Sequence, residues 1–264
     1  MSKSDTYVPQ DSSLTKRWRN EFESWIGKST LGYTETLSKI RDEGLSFARF
    51  GDGEMLLASK ADFSLGFQEN SPKLRKELDR ILLNLNLNED LLVGMSPFWR
   101  NEHWDKVFVE VWPHMRELVP QQATVYGSAY VTRSAAFWKE KRGLVDSWRS
   151  VWEGRKVVIV AGRRSRFELV PELFDNVKSV ELIESEPVNA FKDVPRLVGE
   201  LKGRKDSLVL ISLGAAATVL ASKLSEVGVQ ALDVGHISNC YNNVFNGGPT
   251  PEKLPRIAPA ESKK

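Results

Sequence analysis

A chain of 264 residues can bury a substantial core, and 41% hydrophobic with 27% charged residues is ordinary globular usage, which excludes a disordered chain or a coiled coil. With 37 Lys plus Arg against 35 Asp plus Glu, a net charge of +2 supplies no general field for nucleic acid, so any bound anion is expected to be held locally. The single Cys240 excludes an internal disulfide, the polar first residues hold no secretory apolar region, and every apolar run is far below the ~20 residues of a membrane span. A cytoplasmic protein with no transmembrane segment is expected.

In chain order, Trp18, Phe22 and Trp25 stand three and four apart, the spacing of an amphipathic helix that docks an N-terminal arm, residues 1–30, onto the body. Short apolar runs then alternate with amphipathic stretches: 45–50 before 71–85, 91–95 before 104–118, 123–126 before 134–141. The second half repeats the pattern, with strands expected at 156–161, 179–184, 208–213 and 230–234 and helices at 167–174, 194–201 and 215–227. Such alternation predicts βαβ units, and therefore an α/β, Rossmann-like, doubly wound and mainly parallel sheet with helices on both faces, over residues 31–246. From Gly247 the Gly- and Pro-rich tail, 247–264, is expected to be extended or disordered, because Pro lacks the N–H donor and fixes its backbone angle.

In doubly wound sheets ligands bind at the carboxyl ends of the strands, so the chemistry is sought there. Arg49-Phe50-Gly51-Asp52-Gly53-Glu54 follows a strand and offers two carboxylates one residue apart behind a cation. Paired oxygen ligands suit Mn²⁺ or Mg²⁺ bridging to a diphosphate. The same spacing suits a Gly-rich turn in which Asp52 caps the next helix and Glu54 occupies its first turn. Gly162-Arg163-Arg164-Ser165-Arg166 places arginines and a Ser at an expected helix start, either a phosphate site or an arginine-rich surface loop capped by Ser165. Gly214, before Ala215 to Ala217, permits a close approach of backbone or ligand, and His236 follows Asp233 in a strand-end loop. His103 and His114 receive no role. Neither the phosphate-binding Gly-x-x-x-x-Gly-Lys pattern, the dinucleotide Gly-x-Gly-x-x-Gly pattern nor a Gly-x-Ser-x-Gly elbow is present.

Four ordered stretches between residue 47 and about residue 240 resemble the bacterial GT-D-type glycosyltransferases, a family long known as a domain of unknown function. They are Arg49 to Glu54; Gly127-Ser128-Ala129-Tyr130-Val131-Thr132-Arg133; Ile159 to Arg166 with Leu173-Phe174-Asp175-Asn176; and Leu213-Gly214-Ala215-Ala216-Ala217-Thr218-Val219-Leu220-Ala221 running into Gln230-Ala231-Leu232-Asp233-Val234-Gly235-His236. The resemblance implies a UDP-sugar donor, a glycan or glycoconjugate acceptor, and a divalent metal at an Asp-x-Glu motif that falls on Asp52 and Glu54. It further implies a donor site drawn from Arg49, Phe50, Gly51, Gly53, Ser128, Arg133, Gly162, Arg163, Ser165, Arg166, Gly214 and His236. Arg49 and the Ser165/Arg166 loop would hold diphosphate, and His236 would lie beside metal or phosphate. An inverting reaction would need a carboxylate base, with Asp233 the candidate ahead of Glu184 or Glu186. Two departures stand out: Ala215 replaces a frequent Pro, and Ile237 to Asn243 replace a more acidic, aromatic segment. The second keeps open a non-catalytic nucleotide-binding or scaffolding subunit of a glycan-assembly complex, whereas a methyltransferase lacks support.

Overall fold

The computed structural model of the chain describes residues 12–27, 30–85, 87–97, 102–119 and 125–255. The expected arm at 1–11 and 28–29, the start of the expected strand at 123–124 and the tail at 256–264 lie outside the described residues.

Helices α1 (Ser12–Gly27) and α2 (Tyr33–Glu43) precede β1 (Ser46–Phe50), which runs directly into α3 (Asp52–Ser59) and then α4 (Pro72–Leu83). Next come β2 (Leu91–Met95), α5 (Glu102–Leu118), β3 (Gly127–Ser128), α6 (Ser134–Glu140) and α7 (Arg142–Trp152). The second half holds β4 (Lys156–Gly162), α8 (Pro171–Phe174), β5 (Ser179–Ser185), α9 (Val194–Leu201), β6 (Ser207–Ser212), α10 (Ala215–Ser225), β7 (Ala231–Asp233) and α11 (Ile237–Phe245).

The seven strands form one sheet in the order β3-β2-β1-β7-β6-β4-β5, with every pairing parallel. Alternate side chains feed two separate cores, as a sheet covered on both faces requires. Ala48, Phe50, Val158, Val160, Val209 and Ile211 join the core beneath α3, α4, α5, α9 and α10. Phe47, Val157, Ile159, Leu208, Leu210 and Leu232 join the core beneath α2, α7 and α8. This buries the inner strands β4 and β6 on both sides, which is why their sequences read as nearly unbroken apolar runs, while the edge strand β5 is mostly exposed.

The arm docks as expected: Phe22 of α1 is fully buried, with its ring centroid 4.1 Å from Phe108 and 5.3 Å from Trp112 of α5. Three local expectations change. The strand expected at 123–126 is found at Gly127–Ser128, after a single bridge at Tyr126. No helix starts at Ser165, because Pro171 holds Val170 extended (φ −65°, ψ 117°) and begins the four-residue α8 itself. The tail, expected to be extended or disordered, forms a 3₁₀ turn at Pro251–Lys253 with Pro251 buried.

Chain direction opens the crevice. From β1 the chain moves outward to β2, and from β4 it moves the opposite way to β5, leaving a gap above the carboxyl ends of β7 and β6 between them.

Candidate donor site at the carboxyl edge of the sheet

The end of β1 supplies Arg49. Its Nη2 donates to Asp233 Oδ1 at 2.8 Å, and its Nη1 donates to Thr132 Oγ1 at 2.6 Å and to the Ala129 carbonyl at 3.3 Å. One guanidinium thus ties β1 to β7 and to the 3₁₀ turn Ala129–Thr132. Its Nε is buried without an acceptor among the described residues. Asp233 is 2% exposed, and its Oδ1 also accepts from the Gly235 N–H at 3.1 Å. Burial raises the Asp233 carboxyl, against the lowering effect of Arg49. Gly235 has φ 48°, and a Cβ there would collide with Arg49 Nη2, so glycine is what lets the guanidinium lie across the strand end.

At the helix start, both alternatives for Glu54 meet one observation. Gly51 is the N-cap of α3, and its N–H donates to Glu54 Oε2 at 3.0 Å, so Glu54 closes the cap from the third helical position while Asp52 sits at the first. Burial, with Asp233 adding to it, pushes Glu54 up to about 7. Asp52 is about half exposed, with Oδ2 at 3.0 Å from His103 Nε2. Among the described residues no group of three or more His, Cys, Asp or Glu converges on a metal position. The donor chemistry nevertheless suits a hard divalent cation: Asp52 and Glu54 offer carboxylate oxygens two residues apart in the first turn of α3, and burial with the nearby Asp233 charge disfavours an uncompensated Glu54 carboxylate, which a cation would relieve.

The opposite wall is basic. His236 lies at the N-cap of α11, and Arg166 Nη2 is 2.9 Å from its Nε2. Since an arginine only donates, that nitrogen is the acceptor and the imidazole is neutral. Burial first, then Arg166, Arg133 and Arg49, push His236 down to about 3. Three guanidinium groups therefore act on one small volume.

The remaining expected residues separate. Phe50 is fully buried and its backbone carbonyl takes the Ser96 hydroxyl at 3.1 Å, so its side chain serves the core and not a ligand. Ser128 is buried, and its hydroxyl accepts the Tyr130 N–H at 3.3 Å. Ser165 accepts the Phe167 N–H at 3.1 Å, stabilising a turn and not a helix N-terminus. Arg163 faces outward, 2.6 Å from Glu186, and Gly162 packs against Pro187. Gly53 packs beside Leu65, and Gly214, at φ 55°, accommodates the ring of Phe67. Of the alternative carboxylates, Glu186 is engaged by Arg163, and Glu184 is exposed on the edge strand. Thr132, Thr218 and Glu252 carry contacts that no sequence spacing announced: Thr218 Oγ1 donates to the Arg49 carbonyl at 2.9 Å, and Glu252 lies 2.5 Å from Arg133. A polar groove of roughly 500 Å³ lies at the opposite edge of the sheet, where Arg80 already pairs with Glu77 and Glu226.

A parallel α/β sheet of this kind places its ligand crevice at the carboxyl ends of the strands, where arginines here stand against carboxylates. The sequence profile of the glycosyltransferase GT-D fold matches residues 47–258, and the chain belongs to that family. Glycosyltransferase GlyD of Streptococcus pneumoniae is 31% identical over 248 residues, 87% of this chain and 29% of that protein. A probable glycosyl transferase, Gly, of Streptococcus gordonii is 28% identical over 81% of this chain and 32% of its own length. The chain thus spans less than a third of these two curated relatives. Domain of unknown function 1792, described as having a distinct glycosyltransferase fold, superposes with a TM-score of 0.79 at 27% identity, over 94% of this chain and 90% of that one. A new glycosyltransferase of the same domain type from Streptococcus sanguinis gives 0.73 at 26% identity, over 88% and 90%. No helix among the described residues is long and apolar enough to cross a membrane.

Proposed function

We propose that this chain is a cytoplasmic enzyme that moves a sugar from a nucleoside diphosphate sugar, a UDP-sugar, to a hydroxyl of a glycan or glycoconjugate. Family membership supports the reaction class, and the observation that carries the donor class is the basic wall: Arg166 lies 2.9 Å from buried His236 in a crevice at the strand ends, and its charge, with those of Arg133 and Arg49, adds to the burial that keeps the imidazole neutral. Buried, fixed positive potential of this kind suits a diphosphate leaving group, whose charge grows as the bond to the anomeric carbon breaks. Arg49 Nε adds a buried donor that a phosphate oxygen would satisfy.

Asp52 and Glu54 are the residues proposed to hold Mn²⁺ or Mg²⁺. Such an ion would offset negative charge on the departing diphosphate. The acceptor oxygen forms the new bond to the anomeric carbon, the diphosphate leaves with the electron pair, and the hydroxyl proton passes to a base or to water. Asp233, expected as that base, is buried on Arg49; its geometry favours positioning the guanidinium over taking a proton. Neutral His236 fixes Arg166 by accepting from it.

Asp52→Asn is expected to abolish metal-dependent UDP release and metal-dependent UDP binding while the far-UV spectrum stays native. Full turnover in that variant would overturn the metal assignment. A thermal-shift panel of nucleotide sugars with Mn²⁺ identifies the donor, since a ligand bound only by the native state raises the melting temperature.

A second reading, a nucleotide-binding subunit without chemistry, is favoured by one observation: Arg133 and Arg166 are both engaged by the chain's own C-terminal turn. No UDP release from any common donor, with Mn²⁺ or with chelator, would establish it over the first.

A further inference from the structure

The last described residues fold back over the basic wall. Gly248 N–H donates to the Asn242 carbonyl at 3.0 Å, and Asn243 Nδ2 donates to the Gly248 carbonyl at 2.9 Å, which fastens the segment's root to the end of α11. Its tip then meets two arginines. Arg133 Nη2 is 2.5 Å from Glu252 Oε1, and Arg166 Nη1 donates to the carbonyls of Pro251 at 2.6 Å and Leu254 at 2.9 Å.

We propose that residues 250–254 form a built-in occupant of the donor's phosphate subsite, a strap that the diphosphate displaces as it enters. The inference rests on the diphosphate reading of the basic wall. Partly buried guanidinium groups need acceptors, and a carboxylate and two carbonyls of the strap supply them. A diphosphate offers more negative charge and more oxygens to the same forks, so it competes successfully. The latch is also weak by construction: the Arg133 and Glu252 side chains are 36% and 60% exposed, a setting in which ion pairs hold little. At the root, Gly247 adopts φ 67°, a conformation other residues resist, while Pro249 and Pro251 stiffen the chain beyond it. The strap is thus a short stiff segment on a glycine pivot, fastened to α11 at its root and held at its tip by the exposed Arg133–Glu252 pair, the two Arg166 hydrogen bonds and the burial of Pro251.

The 264-residue chain and its Glu252→Gln variant are titrated calorimetrically with UDP and with inorganic pyrophosphate, each in the presence of Mn²⁺, and trypsin cleavage after Lys253 is followed by mass spectrometry with and without each ligand. The variant is expected to bind both ligands at least ~3-fold tighter, and either ligand is expected to speed cleavage after Lys253 in the unaltered protein. The cleavage readout separates strap release from the simple loss of a nearby negative charge, which would change affinity without making Lys253 more accessible. Ligand binding that leaves cleavage unchanged or slows it, or equal or weaker binding by the variant, overturns the strap alone. If neither ligand binds either protein, the diphosphate reading fails and the strap falls with it.

Discussion

Arg49 and Asp233, 184 residues apart in the chain, meet at 2.8 Å with the carboxylate 2% exposed and the guanidinium 15% exposed. The pair joins the ends of adjacent strands β1 and β7 beneath the crevice, and Gly235 makes room for it. Removing one partner of such a pair leaves the other charge buried and uncompensated. Asp233→Asn is therefore expected to lower stability by about 3 kcal/mol at neutral pH, measured by urea unfolding. A loss below about 0.5 kcal/mol, the range of ordinary surface changes, would show that Arg49 finds another partner.

Gly235→Ala attacks the same pair from the backbone. The left-handed conformation alone costs an alanine about 1–2 kcal/mol, and the added methyl also displaces Arg49. We expect a loss of about 3 kcal/mol, again by urea unfolding, and weaker UDP binding through the displaced guanidinium. Native stability with native UDP affinity would contradict the packing described.

Between about pH 3 and pH 7 the stability profile should carry two opposing contributions in overlapping windows. His236 has its folded value near 3 against an ordinary 6.5, so between those values the unfolded chain takes a proton that the native state refuses. Stability therefore falls as pH drops through that window, by on the order of 3 kcal/mol. His236→Gln should flatten the acid limb in denaturant melts taken from pH 3 to 7; an unaltered slope would mean the ring is protonated in the native state.

Glu54 acts in the other direction. Its folded value near 7 exceeds the ordinary 4.5, so the native state keeps a proton that the unfolded chain has released. Stability is lost as pH rises from about 4.5 to about 7, by on the order of 2 kcal/mol allowing for its partial exposure. Glu54→Gln keeps an acceptor for the Gly51 N–H and should remove that decline. Unchanged pH dependence in the variant would place the titrating group elsewhere.

The N-terminal helix is held by rings. Phe22 is fully buried among Phe108, Trp112 and Trp25, so Phe22→Ala is expected to cost about 3–4 kcal/mol and to raise exposure of tryptophan to acrylamide quenching. A cost under about 1 kcal/mol would indicate that the arm is dispensable to the fold.

Much of the architecture is legible in the residues. The apolar runs of β2, β4, β6 and β7 and the amphipathic stretches between them follow from periodicity, because the inner strands of a sheet covered on both faces are apolar nearly throughout, whereas the edge strand β5 leaves Val180, Glu181, Leu182 and Glu184 exposed. Elements set by tertiary context escape that logic. Helix α3 begins within two residues of β1, and its start is governed by the Gly51–Glu54 cap, a pattern indistinguishable in sequence from a metal-binding pair. The expected helix at Ser165 is absent because Pro171, six residues on, decides where the helix can start.

What the sequence alone determined, then, is the set of charged groups at the strand ends, since the order of strands and glycine-rich turns delivers Arg49, Asp52, Glu54, Arg166, Asp233 and His236 to one edge. Only the tertiary structure decided which of them engage each other. Partner choice depends on distances between strands that are neighbours in space but not in sequence, β1 with β7 above all, and on a tail whose prolines gave no sign that it returns to Arg133 and Arg166. Desolvation in the shared crevice then moves Glu54 and His236 far from their ordinary titration ranges, an effect of burial that no residue carries in its own identity.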